Sequence, residues 1–201
     1  MARLTVGILL FDGFELLDVY GPAELWARAF DLQLVAASAG PVASAQGPKS
    51  VAEASFADGR LYDILLVPGG IGTRREAGNE ALLEWLRRQS QTAQYVTSVC
   101  TGAALLARAG LLDGRRATSN KYAFEWVVSQ GPGVDWVRQA RWCEDGKFWT
   151  SSGVSAGMDM AVALLARACG AQAAHEAATF AEYDPHEDPD WDPFAKVHGL
   201  V

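Results

Sequence analysis

The 201-residue sequence has few cysteines and few histidines, three of each. Cys100, Cys143 and Cys169 are odd in number and show no CxxC spacing, which argues against a disulfide framework and against a zinc knuckle. Unpaired thiols in a chain of this size are typical of a reducing compartment, so we expect a cytoplasmic protein. The glycine-rich segments match neither the GxGxxG nor the Walker pattern, and the acids near the C-terminus lack EF-hand spacing. We therefore predict no cofactor and no metal.

Basic residues and long apolar runs are also scarce. Seventeen Lys and Arg stand against 24 Asp and Glu, a formal net charge of −7. Nucleic acids and anionic membranes are bound through electropositive surfaces, so we expect neither as a partner. No run approaches the roughly 18 consecutive apolar residues of a membrane-spanning helix, and the first residues lack the pattern of a secretory signal. A small molecule is the expected partner.

The sequence does contain short apolar runs that alternate with helical patterns. The runs at 5–11, 32–37, 62–67 and 95–99 are apolar at successive positions, which is typical of parallel strands covered on both faces. Helices are predicted at 23–30, 80–90, 102–109, 155–168 and 171–183, the first of them opened by Pro22 and the second capped by Asn79. A hairpin is predicted at 139–144 and 147–151, with Asp145-Gly146 in a type I′ turn. These elements predict one α/β domain over 1–201, a three-layer sandwich with a doubly wound, mostly parallel sheet. Its acidic, Pro-rich tail at 183–201 is expected to lack regular structure as far as residue 194.

The most informative stretch is QYVTSVCTGAALL, residues 94–106. A buried strand ends at Cys100, and Thr101-Gly102 opens an Ala-rich helix. This places Cys100 at a sharp strand-to-helix turn, similar to the nucleophile elbow of hydrolases. The helix N-terminus is expected to lower the pKa of the thiol. The alternative is that Cys100 is a small buried apolar residue, which is the role we expect for Cys143 and Cys169.

A glycine-rich loop, PGGIG at 68–72, follows the strand at 62–67. Glycines after a buried strand allow unusual backbone dihedrals and let N–H groups face a ligand. The amides of Gly70, Ile71 and Thr101 are predicted to form an anion pocket. By itself the motif is weak, because a loop glycine usually serves only a turn.

Two acids, Glu15 and Asp18, lie in the apolar stretch after the first strand. A carboxyl group in apolar surroundings tends to stay protonated, and it can then donate a hydrogen bond to a nearby thiolate. The alternative for an acid in the first turn of a helix is a simple interaction with the helix N-terminus.

The segments FELLDVYGP, LVPGG and SVCTGAALLARAGLLDGRRAT together closely resemble the ThiJ/PfpI superfamily, relatives of the class I glutamine amidotransferases. The likeness extends over essentially the whole chain, including SSGVSAGMDMAVAL near its end. SVCTG combined with an aspartate at the acid position is most similar to isonitrile hydratases and to the amidotransferase-like domain of AraC-type regulators. The resemblance implies a flavodoxin-like fold, a homodimer and a small-molecule substrate. It also implies that Cys100 is the reactive residue and that Asp18, rather than Glu15, is its hydrogen-bonding acid, with Thr101, Gly70 and Ile71 around the anion pocket.

The sequence departs from this family at one position. Many members carry a histidine downstream of the cysteine, in a TTH segment, where this chain has Thr118-Ser119-Asn120. Asn120 can form hydrogen bonds in the pocket but cannot exchange a proton near neutral pH. The three histidines present are expected at the surface or in structural roles, and they are His175, His186 and His198. A Cys–His protease or amidotransferase is therefore poorly supported, and a glyoxalase-type activity is weakened.

Three functions follow from these residues and this resemblance. In the first, the Cys100 thiolate attacks the terminal carbon of an isonitrile, Asp18 relays a proton, and water releases an N-substituted formamide. In the second, Cys100 is not catalytic and serves as a redox or stress sensor through its oxidation. The third is a fragment of a transcription regulator, against which the net charge and the lack of a basic recognition helix argue.

Overall fold

The computed structural model describes residues 3–201. Eleven strands are found in this part of the chain: β1 (Thr5–Leu9), β2 (Asp31–Ala36), β3 (Gly40–Ala43), β4 (Lys49–Ala52), β5 (Ala54–Ser55), β6 (Ile64–Val67), β7 (Tyr95–Ser98), β8 (Arg116–Ala117), β9 (Asp135–Trp136), β10 (Trp142–Asp145) and β11 (Phe148–Ser151). The helices are α1 (Leu16–Trp26), α2 (Thr73–Glu76), α3 (Glu80–Thr92), α4 (Gly102–Arg108), α5 (Phe124–Gln130), α6 (Ala156–Cys169), α7 (Ala171–Phe180) and α8 (Pro193–Val197). Among these residues no helix has the length and apolar composition needed to cross a bilayer.

Seven of the strands form one sheet in the order β10-β11-β7-β6-β1-β2-β5. All neighbours in it run parallel except the β10–β11 hairpin. Helix α1 packs against α6 and α7, while α4 packs against α3 and α5. The ILLV sequence of β6 is fully buried, as expected for a central strand covered on both faces. The predicted fold class, a mostly parallel α/β sheet with helices around it, is confirmed.

The first helix differs from the prediction. Pro22 was expected to open a helix at 23–30, but α1 begins at Leu16 and contains Pro22 in its interior. A proline has no N–H to donate to the carbonyl group four residues earlier, which here belongs to Asp18. The burial of Val19, Leu25 and Trp26 outweighs this lost bond. As a consequence, Asp18 lies in the first turn of a helix.

The predicted hairpin is present, but its turn lies one residue later than expected. Asp145 pairs with Phe148, so the two loop residues are Gly146 and Lys147. Gly146 has φ 61°, and Lys147 is not among the residues with positive φ. Positive φ at the first loop position alone is the type II′ pattern, so the predicted type I′ turn over Asp145-Gly146 is wrong.

The tail is more ordered than predicted. The carbonyl of Pro189 accepts hydrogen bonds from the amides of Arg141 (2.7 Å) and Trp142 (3.2 Å). Asp192 then caps α8 through a hydrogen bond from Phe194 N–H to its Oδ1 (2.9 Å). The expectation of irregular structure as far as residue 194 is therefore wrong at its end, because Pro193 stands at the first helical position, where a proline is favoured.

A buried ion pair fastens the start of the tail to the rest of the fold. Arg141 Nε donates to Asp159 Oδ2 (2.6 Å), and Asp159 Oδ1 accepts from Tyr183 Oη (2.5 Å) and His186 N–H (2.8 Å). Since Arg141 →Met would leave the buried Asp159 charge without its cation, we expect it to lower the free energy of unfolding by about 3 kcal/mol. Urea denaturation monitored by tryptophan fluorescence measures this loss.

The matched control is the exposed pair between Arg138 and Glu125, 2.7 Å apart. Arg138→Met should change the free energy of unfolding by less than about 1 kcal/mol. Equal effects of the two substitutions would contradict the role of Arg141.

Candidate functional site

The predicted site residues come from three segments that follow neighbouring strands. Glu15 and Asp18 come after β1, the PGGIG loop follows β6, and Cys100 follows β7. Because β6 pairs with both β1 and β7 in parallel register, the carboxyl ends of the three strands lie side by side. This edge is where ligands bind in open α/β sheets.

Cys100 occupies a strained turn between β7 and α4. Its φ of 57° lies in the left-handed region, which a non-glycine residue adopts only at a cost of about 1–2 kcal/mol. The turn is held on both sides, because Cys100 N–H donates to Ser152 O (3.1 Å) and Ser119 Oγ donates to Cys100 O (2.8 Å). The nucleophile-elbow geometry expected from the sequence is therefore present.

The environment of the Cys100 sulfur differs from the expectation. The residue is only 7% exposed, and this burial raises the pKa of the thiol well above its usual range. The buried Asp18 raises the pKa further, whereas hydrogen bonds from the backbone and side chain of Thr101 lower it. The expected lowering of the pKa is therefore wrong: desolvation outweighs the favourable groups at the start of α4. The sulfur is a thiol near neutral pH.

Asp18 is the buried acid of the site. Its side chain is fully buried, and its Oδ2 accepts a hydrogen bond from Gly69 N–H (2.8 Å). Its Oδ1 is also buried and has no partner within residues 3–201. Burial raises the pKa of Asp18 to about 8, although the bond from Gly69 acts in the opposite direction. The carboxyl group is consequently protonated at neutral pH, and Oδ1 is free to carry the proton.

Gly69 lies between Asp18 and the elbow. Its amide binds Asp18, and a Cβ atom on it would lie 2.8 Å from Cys100 Cβ and 2.6 Å from Thr101 N. Contacts this short do not occur, so a side chain at position 69 would push the elbow away from the acid. The PGG motif indicated a turn and an anion pocket, but it gave no sign of this role for Gly69.

The three amides predicted to form an anion pocket differ in their partners. Gly70 N–H donates to Thr101 Oγ1 (3.1 Å), and Thr101 is itself buried. Ile71 N–H has no acceptor in the described part of the chain, and its side chain is exposed. The amide of Gly70 thus positions the threonine, and the amide of Thr101 is directed at the Cys100 sulfur.

Glu15 and Asn120 lie at the margins of the site. The Glu15 side chain accepts from Gln46 Nε2 (2.5 Å), and its backbone N–H donates to Gly69 O (2.9 Å). Asn120 Oδ1 accepts from Ala123 N–H (2.9 Å), which shapes the turn before α5. Glu15 raises the pKa of the Cys100 thiol less than Asp18 does. Residues 3–201 contain no group of three or more histidine, cysteine or acidic side chains placed to hold a metal ion.

Comparison with known proteins places this geometry in a family. The DJ-1/PfpI family matches residues 4–167. The chain belongs to this family.

Relatives within and around the DJ-1/PfpI family differ in what they are named for. Isonitrile hydratase from Pseudomonas putida is 36% identical over 186 residues, which cover 90% of this chain and 79% of the relative. The transcriptional regulator CdhR of Pseudomonas aeruginosa is 31% identical over 83% of this chain, which spans only 51% of the regulator. The crystal structure of a ThiJ/PfpI family protein from Pseudomonas syringae superposes over all of this chain and 85% of its own, with TM-score 0.86 and 30% identity. The family resemblance expected from the sequence is confirmed.

Two further residues of this DJ-1/PfpI site were missed by the sequence interpretation. Ser119 and Ser152 hold the carbonyl and amide of Cys100, and both are buried. Ser119 lies in the segment where many members have TTH, so the resemblance could have indicated that Ser119 belongs to the site. The SSG sequence around Ser152 offered none, because its contact with Cys100 depends on the pairing of β11 with β7.

Proposed function

We propose that this DJ-1/PfpI protein hydrates isonitriles to N-substituted formamides, with Cys100 as nucleophile and Asp18 as proton donor and acceptor. The observation that carries the proposal is the fully buried Asp18, whose carboxyl group has a pKa of about 8, beside the strained Cys100 elbow. The 36% identity to an isonitrile hydratase over most of both chains supports the same reaction.

The first step uses the protons of the Asp18 carboxyl group and the Cys100 thiol, both of which burial keeps protonated. Asp18 transfers its proton to the terminal carbon of R–N≡C, which turns that carbon into a nitrilium electrophile. Cys100 Sγ bonds to this carbon and passes its own proton to the Asp18 carboxylate. The product is a thioimidate, Cys–S–CH=N–R, with Asp18 protonated again. A reaction that begins with carbon protonation needs a neutral acid at working pH, which is what the burial of Asp18 provides.

The second step adds water to the same carbon. Asp18 protonates the imine nitrogen, water attacks the carbon, and the proton lost by that water returns to the Asp18 carboxylate. The tetrahedral adduct then collapses: the C–S bond breaks, the hydroxyl proton passes to sulfur, and R–NH–CHO leaves. The Thr101 amide, which binds the Cys100 sulfur, stabilises the sulfur as the C–S bond breaks, and the Ile71 amide is available to the oxygen of the adduct.

A glyoxalase-type activity and a redox-sensor role find less support in this geometry. Methylglyoxal chemistry in a Cys–His site needs a proton carrier where this chain has Asn120, which instead binds Ala123 N–H. Peroxide sensing depends on the thiolate, and burial of Cys100 disfavours that form.

Turnover by the purified protein tests the proposal. Methyl isonitrile and cyclohexyl isonitrile are incubated with the protein at pH 7, and formamide is quantified by chromatography, with methylglyoxal run in parallel. We expect formamide at a rate proportional to protein concentration and no conversion of methylglyoxal. Formation of formamide at the rate of the buffer alone would contradict the proposed function.

A homodimer forms part of the same proposal. Leu17 and Tyr20 on α1 and Val51 on β4 are exposed apolar side chains, and Tyr20 Oη donates to Ser50 Oγ (2.7 Å), which joins the two elements. A surface of this kind suits contact with a second copy of the chain. Sedimentation velocity measures the stoichiometry directly.

A further inference from the structure

A cavity lies beside the backbone of the Cys100 elbow. It has a volume of about 240 Å³ and is lined by residues 120–122, by the loop 152–155, by Phe194 of the helix α8 and by His198, which follows that helix. We call it the α8 cavity. None of the functions considered above assigns a role to α8.

The walls of the α8 cavity are joined directly to the elbow. Ser152, one of its lining residues, accepts the hydrogen bond from Cys100 N–H (3.1 Å). Asn120, another, immediately follows Ser119, whose hydroxyl group binds Cys100 O (2.8 Å). The α8 cavity therefore borders the backbone of the elbow at Ser152 and Asn120.

Aromatic groups dominate the outer part of the α8 cavity. Tyr122 is 83% exposed and Phe194 is 51% exposed, although both are large apolar side chains. The rings of Tyr122 and His198 meet edge to face, with centroids 5.7 Å apart. Helix α8 is held in place by the fully buried Ala195 and by the Asp192 cap, so these rings belong to a fixed part of the fold.

The one lysine in this wall does not offer its charge to the cavity. Lys121 is buried, and its Nζ donates to Thr118 Oγ1 (2.7 Å) and Ala140 O (2.6 Å). Burial also lowers the pKa of Lys121 to about 8. The side chains that remain to contact a ligand are uncharged or aromatic, which favours a neutral group. They are the apolar or aromatic Tyr122, Val154, Phe194 and His198 and the polar Asn120, Ser152 and Ser155.

We propose that the α8 cavity binds the nitrogen substituent of the isonitrile and selects cyclic or branched hydrocarbon groups through Tyr122, Phe194 and His198. This inference rests on the proposed function, since it assigns a place to one part of that substrate. The size agrees, because an apolar cavity of roughly 150 Å³ already holds a benzene ring. The C-terminal helix is thereby a specificity element of the site.

Binding of the reaction products tests this inference without turnover. N-methylformamide and N-cyclohexylformamide are titrated into the wild-type protein by protein-observed NMR, and the ratio of their dissociation constants is measured. We expect the cyclohexyl compound to bind at least about tenfold more tightly, from the apolar area that the ring buries. Phe194→Ala and His198→Ala should each remove most of that ratio.

Matched controls lie on α7, away from the cavity. Phe180 is an exposed phenylalanine and His175 an exposed histidine, and neither lines the α8 cavity. Phe180→Ala and His175→Ala should leave the ratio unchanged. Equal affinities for the two formamides, or a ratio that survives both α8 substitutions, would overturn the inference.

Two further results separate the alternatives. If the exposed rings served a second copy of the chain, Phe194→Ala would weaken self-association in sedimentation velocity and leave the formamide ratio intact, which would also overturn the inference. If the wild-type protein showed the ratio and its loss in both α8 variants but hydrated neither isonitrile, the cavity would stand as a hydrocarbon site while the proposed function failed.

Discussion

A Cys100→Ala variant is expected to lose isonitrile hydration by about 10⁴-fold or more in kcat/KM. The thioimidate intermediate requires a sulfur at this position, and removal of a nucleophile that acts together with its proton donor typically has an effect of this size. The comparison is clean because alanine retains the Cβ atom, so both residues carry the same strain at φ 57°. Initial rates of formamide formation from methyl isonitrile give the measurement, and thermal unfolding of the variant establishes that it is folded.

The other two cysteines provide the controls for Cys100. Cys143 is buried in β10, where burial raises the pKa of its thiol to about 11, and Cys169 is exposed at the end of α6. Alanine at either position should leave hydration within about twofold of the wild-type rate. Neither sulfur lies at the carboxyl ends of β1, β6 and β7, where the site forms. Hydration that persists in Cys100→Ala would rule out the covalent mechanism.

The central architecture could be predicted from the sequence because parallel strands buried on both faces leave a local signal. The ILLV run of β6 is apolar at every position, and all four residues are buried. The start of α1 could not be predicted in the same way. Pro22 suggested a helix start, yet tertiary packing of Val19, Leu25 and Trp26 extends the helix on both sides of the proline.

The elbow could also be predicted from neighbouring residues, whereas the protonation state of the Cys100 side chain could not. SVCTG places Cys100 between a strand and a helix, and this required only neighbouring residues. The direction of its pKa shift depends instead on desolvation and on Asp18, which is 82 positions away in the chain and is brought close by the pairing of β1, β6 and β7. Helix-terminus arguments alone therefore gave the wrong direction.

His198 is exposed, as expected, but its neighbours show the same limit at longer range. The sequence indicated a surface or structural role for it, since the tail is rich in prolines and acids. In the structure, the tail follows the edge of the sheet at Arg141 and brings α8 to the cavity that Asn120 also lines. The chain thus has a histidine near the segment where many relatives have one, but it is supplied by a different part of the sequence.

An Asp18→Asn variant is expected to lose hydration by about 10²–10⁴-fold while becoming more stable at neutral and alkaline pH. The loss of rate follows because an amide can accept the bond from Gly69 N–H but cannot transfer a proton to the isonitrile carbon. The stability change follows from linkage. The pKa of Asp18 is about 8 in the folded protein and near its ordinary 3.8 when unfolded, so between these values the folded state binds more protons than the unfolded state. Stability from this group is therefore greatest at low pH and falls as pH rises toward 8, by about 1.4 kcal/mol per pH unit in the middle of that range.

The difference in free energy of unfolding between Asp18→Asn and the wild type isolates this group from all others that titrate. Urea denaturation at pH 5, 6 and 7 should show the difference growing in favour of the variant at each step. Glu15→Gln is the matched control. Glu15 belongs to the same segment, but its carboxylate accepts a hydrogen bond from Gln46 at the surface. That variant should retain hydration. A pH-independent difference for Asp18→Asn would mean that the folded protein holds this carboxyl group ionised, and carbon protonation by Asp18 could not begin the reaction.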